Sequence, residues 1–210
     1  MTAPVIAALF TAVYFGVTIR LCRGVRLCAK SLALGGVICA ATLILEAIYI
    51  PLPTGASIHA VPCVPLMLLA LTYDRRIAFL SGWVCGVLLL VINPLWQPVH
   101  WAQIFVEHLV CFSCLGYAGI FGANTRPKIL AGILLALFLK FCGHVLSGVV
   151  FFSQNAWDGW GAWAYSLTYH LTSKIPEGIA TAAVLMLLPV AGIRKAIGKE
   201  VLHANRSTMD

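Results

Sequence analysis

A chain of 210 residues that is 61% hydrophobic and only 10% charged, with a mean hydropathy of +0.95, holds more apolar surface than a soluble core of that size buries, which excludes an ordinary soluble domain. The formal net charge of +7 comes from Lys and Arg placed between apolar stretches; it reports membrane topology, and a nucleic-acid partner is a poor explanation of it. The eight cysteines lie mostly inside those stretches, where thiols act as small hydrophobes, so no disulfide framework is implied.

A bilayer-crossing helix needs roughly 20 apolar residues. On that scale the sequence predicts an all-α polytopic membrane helix bundle with seven candidate spans, 3–19, 32–50, 58–71, 77–92, 101–121, 129–152 and 163–193, the third and fourth being short. The first stretch, MTAPVIAALFTAVYFGVTIRLCR, carries its positive flank after the apolar run, the reverse of a cleaved secretory signal. It reads as an additional amino-terminal transmembrane helix retained in the mature protein. The chain then divides into this helix with its basic linker (1–24), a membrane domain (25–198) and a short polar tail (199–210).

Arg20, Arg23, Arg26 and Lys30 lie before the second span, Arg75 and Arg76 after the third, Arg126 and Lys128 after the fifth, and Arg194, Lys195, Lys199 and Arg206 after the last. These are alternate ends and share one side. The remaining connections, 51–57, 93–100 and 153–162, contain no Lys or Arg. By the positive-inside rule the basic ends and the carboxyl terminus are cytoplasmic and these three loops face outward, in a multi-pass protein of the cell membrane.

Polar groups inside the spans are the functional candidates, because they are costly in hydrocarbon. In the fifth span Glu107 follows Ile-Phe-Val and precedes His108. A carboxylate there requires a cation, a donor network or a proton; Lys140 is the structural explanation and a cationic ligand the functional one. His108, Cys111 and Cys114 recur at three-residue spacing, as a redox pair or metal site would, but no second ligand cluster accompanies them, and packing of small residues is the stronger reading. In the sixth span Lys140, His144, Gly148 and Phe152 recur every four residues and form one stripe, either a ligand wall or a close helix contact. The last span adds Tyr165, Tyr169, His170, Lys174 and Glu177; Lys174 and Glu177 are spaced to neutralise each other, and Pro176 predicts a kink.

Trp96, Trp101, Trp157, Trp160 and Trp163 cluster in the outward loops. An interfacial aromatic belt accounts for most of them, with a lid over a pocket as the alternative for the Trp157 loop. Glu107, His144, Phe152, Tyr165 and His170 together make an outward-facing pocket suited to a flat heteroaromatic cation. No nucleotide-binding loop is present, so active transport would draw on another subunit or an ion gradient. Ser147 and His144 lie within one turn, but no third group is placed to orient the histidine, and the chain reads as a binding and transport protein needing no cofactor or metal.

Two stretches resemble the thiamine-binding S component of energy-coupling factor (ECF) transporters, the ThiT family. One runs from Lys140-Phe-Cys-Gly-His144 through Ser-Gln-Asn-Ala-Trp157-Asp-Gly-Trp160-Gly-Ala-Trp-Ala-Tyr165-Ser-Leu. The other is Gln103-Ile-Phe-Val-Glu107-His-Leu-Val, continuing to Leu115-Gly-Tyr-Ala-Gly-Ile-Phe121. The resemblance extends from about Arg26 to the end of the last span. It implies a six-helix core, to which the first helix is extra, that captures thiamine from outside and associates with a transmembrane coupling subunit and two cytoplasmic ATPase subunits. It makes Glu107, His144, Gly148 and Tyr165 ligand-site residues. It also makes 51–57, with Gly55 and Ala56, a lid, and gives small residues on the first family helix to partner contact, here Gly35 and Gly36 with Ala40, residues that packing within the bundle would use equally.

The chain departs from the family pattern at four positions. His108 stands where the family commonly has Tyr, Phe152 where it has a stacking Trp, His170 where it has Asn, and Ala56 where it has the lid Trp. The expected ligand is therefore thiamine, with a related pyrimidine or thiazole compound as the alternative. An ion-coupled transporter titrating Glu107 or Glu177 is the rival mechanism.

Overall fold

The structure is a computed structural model that describes residues 2–92 and 98–197; Trp96 and the tail of 199–210 lie outside them. Long apolar runs become helices because a helix satisfies every backbone polar group internally, the condition for crossing hydrocarbon. Helix α1 spans Ala3–Cys22 and α2 Ala29–Ala47. A hairpin of β1 (Tyr49–Pro51) and β2 (Ser57–His59) follows, then α3 (Cys63–Thr72) and α4 (Arg75–Ile92). The next span, α5 (Trp101–Gly119), contains a π-helical stretch at Ile104–Leu109 and a 3-10 stretch at Cys114–Gly119. Helices α6 (Arg126–Phe151), α7 (Ala162–Leu187) and α8 (Val190–Ile197) complete the bundle.

Five of these helices, α1, α2, α4, α5 and α6, are individually long and apolar enough to cross a membrane, and α7 with α8 makes a sixth span bent by 61°. Two expected spans take a different form. The stretch 58–71 is short, as expected: its start belongs to β2 and α3 has only 10 residues, yet it carries the chain from the hairpin at the cavity end to the Tyr73–Arg76 turn at the basic end. Pro51, Pro53 and Pro62 cannot continue a helix, and Gly55, at φ +84°, supplies the turn that folds β1 back antiparallel onto β2. The stretch 163–193 is broken at Leu188–Pro189, and Pro176 lies inside the helix α7.

Helix α5 is the most buried of the long helices. Gly82 and Gly86 of α4 lie against its backbone at Phe112–Ser113 and at His108, and a Cβ on either would overlap that backbone. Helix α1 is bonded into the same core, with Tyr14 Oη 2.5 Å from Ser113 Oγ, Thr18 Oγ1 3.0 Å from Tyr117 Oη, and Phe15 stacked on Trp83. Large apolar side chains such as Val37, Ile44, Phe138 and Ile179 face outward, as lipid-facing positions do.

The bundle has a basic end and an opposite, non-basic end. Arg23, Arg75, Arg76 and Arg194 surround one hollow, which brings the alternate ends together as the charge pattern requires. At the opposite end, α5, α6, the 152–161 connection and the first turns of α7 enclose a second cavity, and the hairpin meets its wall at Tyr169.

Candidate functional site

Glu107 sits within the π-helical stretch of α5, where the extra residue per turn re-aims side chains. Its Oε2 accepts from Gln103 Nε2 at 2.9 Å and from Ser147 Oγ of α6. The Gln103 amide is held because its Oε1 accepts from the Val99 backbone N–H at 2.9 Å, which leaves only its NH2 for the carboxylate. His144 Nδ1 approaches Glu107 Oε1 to 3.5 Å. Among the described residues no Lys or Arg lies within ion-pair distance of Glu107. The expected structural partner, Lys140, turns elsewhere: its Nζ is 3.7 Å from Glu177 Oε1 and 3.3 Å from Cys63 Sγ. Lys174 and Glu177 pair at 3.1 Å, as their spacing predicted.

Beside this carboxylate is a cavity of about 160 Å³ lined by Glu107, Gly148, Phe152, Asn155, Tyr165, Ser166, Tyr169 and His170. Its aromatic wall is continuous. The His144 and His170 rings stack at 5.4 Å, Tyr169 meets His170 edge-on at 5.1 Å, and Trp157 meets Tyr165 edge-on at 5.2 Å. The two nitrogens of His144 and Nδ1 of His170 are buried and make no hydrogen bond among the described residues, which leaves polar capacity beside the cavity unused. The hairpin reaches this wall, because Tyr169 Oη donates to the Gly55 carbonyl at 3.0 Å; Ala56 is buried next to that turn.

Of the sequence-predicted residues, Glu107, Gly148, Phe152, Tyr165 and His170 line the cavity, and His144 backs it through Glu107 and His170. Gly55 and Trp157 contact its walls through Tyr169 and Tyr165. His108 does not line the cavity; one step along the helix from Glu107 it is turned away and is 1% exposed, with its carbonyl against Gly86. Cys111 donates to the Val106 and Lys140 carbonyls and Cys114 to those of Cys111 and Ala136, so both thiols pack against backbone. Gly36 and Ala40 are exposed on α2, while the neighbouring Gly35 is buried against Ser81. The sequence reading did not assign Asn155, Ser166 and Tyr169, which line the cavity, or Gln103 and Ser147, which hold Glu107, to the site. Gln103 was findable, lying four residues before Glu107 on one helical face.

The sequence model of the family described as Thiamine transporter protein (Thia_YuaJ) matches residues 32–197. The chain belongs to this family. It is accordingly a multi-pass membrane protein of a transporter family, and not an enzyme. The chain is 29% identical over 157 residues to the thiamine transporter ThiT of Bacillus subtilis strain 168, covering 69% of this chain and 81% of that protein. It is 28% identical over 160 residues to the thiamine transporter ThiT of Lacticaseibacillus paracasei, covering 68% and 80%. A solved structure of ThiT from Listeria monocytogenes superposes with a TM-score of 0.67 at 19% identity, over 76% of this chain and 92% of that one, and so shares the fold. Helix α1 precedes the family-matched stretch.

Gly148 sets the closeness of α6 and α7 at the cavity. A Cβ there would overlap Ser166 Oγ and come 3.1 Å from His170 Nε2, and Ser166 Oγ is itself fixed by donating to the Val145 carbonyl at 2.8 Å. Gly148→Val is therefore expected to force the helices apart, lowering stability by about 1–3 kcal/mol and weakening any ligand of this cavity at least tenfold. Thermal unfolding and a binding titration of the purified variant measure both.

Proposed function

We propose that this protein is the substrate-binding membrane subunit of an ECF-type vitamin uptake transporter, capturing thiamine from outside and passing it on through an ATPase-driven coupling module. The observation that carries the reading is Glu107. It is an acceptor-only carboxylate with no Lys or Arg partner among the described residues, placed beside an aromatic-walled cavity in a member of the thiamine transporter family. A permanently cationic thiazolium meets this anion at low cost, and the stacked His144–His170 pair with Phe152 and Tyr165 offers faces to a flat pyrimidine.

The cavity of about 160 Å³ is smaller than the roughly 300–1,000 Å³ typical of small-molecule pockets. Entry therefore requires the hairpin to lift, breaking the Tyr169–Gly55 bond, and closure re-forms it. The basic ends lie on the cytoplasmic side and the cavity opens outward. Coupling to a transmembrane partner and two cytoplasmic ATPases is supported by the family resemblance and by the exposed small-residue face of Gly36 and Ala40 on α2.

Intrinsic tryptophan fluorescence tests ligand identity, since Trp157 lies against the cavity wall at Tyr165. Titration of the detergent-solubilised protein with thiamine is expected to give saturable quenching, with the separate pyrimidine and thiazole halves binding more weakly. A response to one half but not to thiamine would reassign the ligand to a related compound. Uptake that collapses with an uncoupler yet persists without ATPase subunits would replace ATP coupling by an ion gradient.

A further inference from the structure

We infer that the hollow at the basic end of the bundle is a binding site for a phosphate group, supplied in the membrane by the headgroup of an anionic phospholipid. The hollow measures about 480 Å³ and is lined by Arg23 after α1, by Tyr73, Asp74, Arg75 and Arg76 between α3 and α4, by Gly119, Gly122 and Ala123 after α5, and by Arg194 of α8. Asp74 is the only carboxylate among the described residues that line it, and Arg76 already occupies it, with Nη2 2.8 Å from Oδ2 and Nε 3.2 Å from Oδ1.

The other three guanidinium groups have no carboxylate partner among the described residues. Arg75 donates to the Ile120 carbonyl at 3.5 Å, Arg194 to Asn124 Oδ1 at 2.9 Å, and the Arg23 side chain is exposed. Three uncompensated planar forks around one concavity match a phosphate oxygen set, which guanidinium groups hold bidentately.

Depth favours a lipid as the source. The hollow lies where α1 and α3 end and α4 and α6 begin, with α8 turned 61° from α7 beside it, which is headgroup level for this bundle. Leu21, Ala70 and Leu71 give it an apolar floor, and the exposed Val17 and Ile19 of α1 continue that apolar surface toward the acyl region. Basic hollows between transmembrane helix ends hold anionic headgroups in this way.

The test uses the full chain in neutral detergent with added phosphatidylglycerol or phosphatidylcholine of the same acyl chains, counting retained lipid by native mass spectrometry. Phosphatidylglycerol is expected to be retained on the order of tenfold better. The preference should vanish in the double variant Arg23→Gln/Arg194→Gln, whose two side chains are exposed, with the fluorescence titration of the distant Glu107 cavity unchanged. If inorganic phosphate alone protects the wild type, and not the double variant, against unfolding, with no difference between the lipids, the phosphate site stands and its source is soluble. Equal retention of the two lipids without phosphate protection, or a preference that survives the double substitution, overturns the inference.

Discussion

Glu107→Gln is expected to weaken thiamine binding by roughly 30- to 150-fold, the equivalent of about 2–3 kcal/mol for removing one partner of a charge-assisted interaction in a poorly hydrated site, while leaving the protein folded. The fold should survive because the substitution keeps the volume and keeps an oxygen for the two donors that hold Oε2, Gln103 Nε2 and Ser147 Oγ. The Gln103 amide is already fixed by the Val99 N–H, so it continues to present NH2, and the new side chain is steered to place its own NH2 on the His144 side. A donor then stands where the carboxylate oxygen had stood, and the anion is gone. A neutral analogue of thiamine with the thiazolium replaced by an uncharged ring should lose far less, within about threefold. Parallel titrations of both ligands against both proteins measure the charge term directly. Equal losses for the cation and the neutral analogue would mean that Glu107 shapes the cavity and does not read charge.

How far that site was legible in the sequence depends on which physical rule each residue obeys. Glu107, His144 and Gly148 stood out because polar and small residues are conspicuous in apolar spans, and a four-residue period on α6 is a statement about one face. Tyr169 was visible as a polar residue of the last span but its role was not, because its contribution is a bond to the carbonyl of Gly55, a contact across 114 residues that no local period encodes. His108 was placed in the site by the family resemblance, as the residue after Glu107, yet one step on a helix turns a side chain by about 100°, and the structure leaves it buried and outside the cavity lining. Lys140 shows the same limit from the other direction. It shares a stripe with His144 and Gly148, but its chain reaches one turn further from the cavity to Glu177.

At the level of the fold, the long spans were legible from hydropathy and the hairpin was not. The window containing Ile48, Tyr49 and Ile50 is as apolar as a helix end, and only Pro51, Pro53 and Gly55 beyond it signal that the chain turns back as a β-ribbon. The span breaks at Pro189 and not at Pro176. Pro176 removes the donor to the Thr172 carbonyl yet lies inside α7, whereas Pro189 comes at the exposed end of α7, where Leu187 is 85% exposed.

The buried ion cluster beneath the cavity gives the largest stability effect. Among the described residues Glu177 is the one carboxylate within ion-pair distance of both cations, with Lys140 Nζ 3.7 Å from Oε1 and Lys174 Nζ 3.1 Å from Oε2, and its side chain is only 3% exposed. Around Lys140, itself buried, the further contacts are Cys63 Sγ at 3.3 Å and the Phe112 ring at 5.2 Å, neither of which carries a formal charge to balance the ammonium. Glu177→Gln is therefore expected to cost roughly 3–5 kcal/mol, the range for leaving a buried charge without its partner. Lys140→Met should cost much less, because Glu177 keeps Lys174 and a thioether side chain of similar length fills the space beside Phe112. The two changes should also couple. In the Glu177→Gln background Lys140→Met should raise stability, reversing its sign, because it removes the orphaned ammonium. Unfolding free energies of the three variants and the wild type in mixed micelles give the coupling energy. Additive effects would place the Glu177 contribution in packing, and a favourable coupling of at least about 1.5 kcal/mol would place it in charge neutralisation.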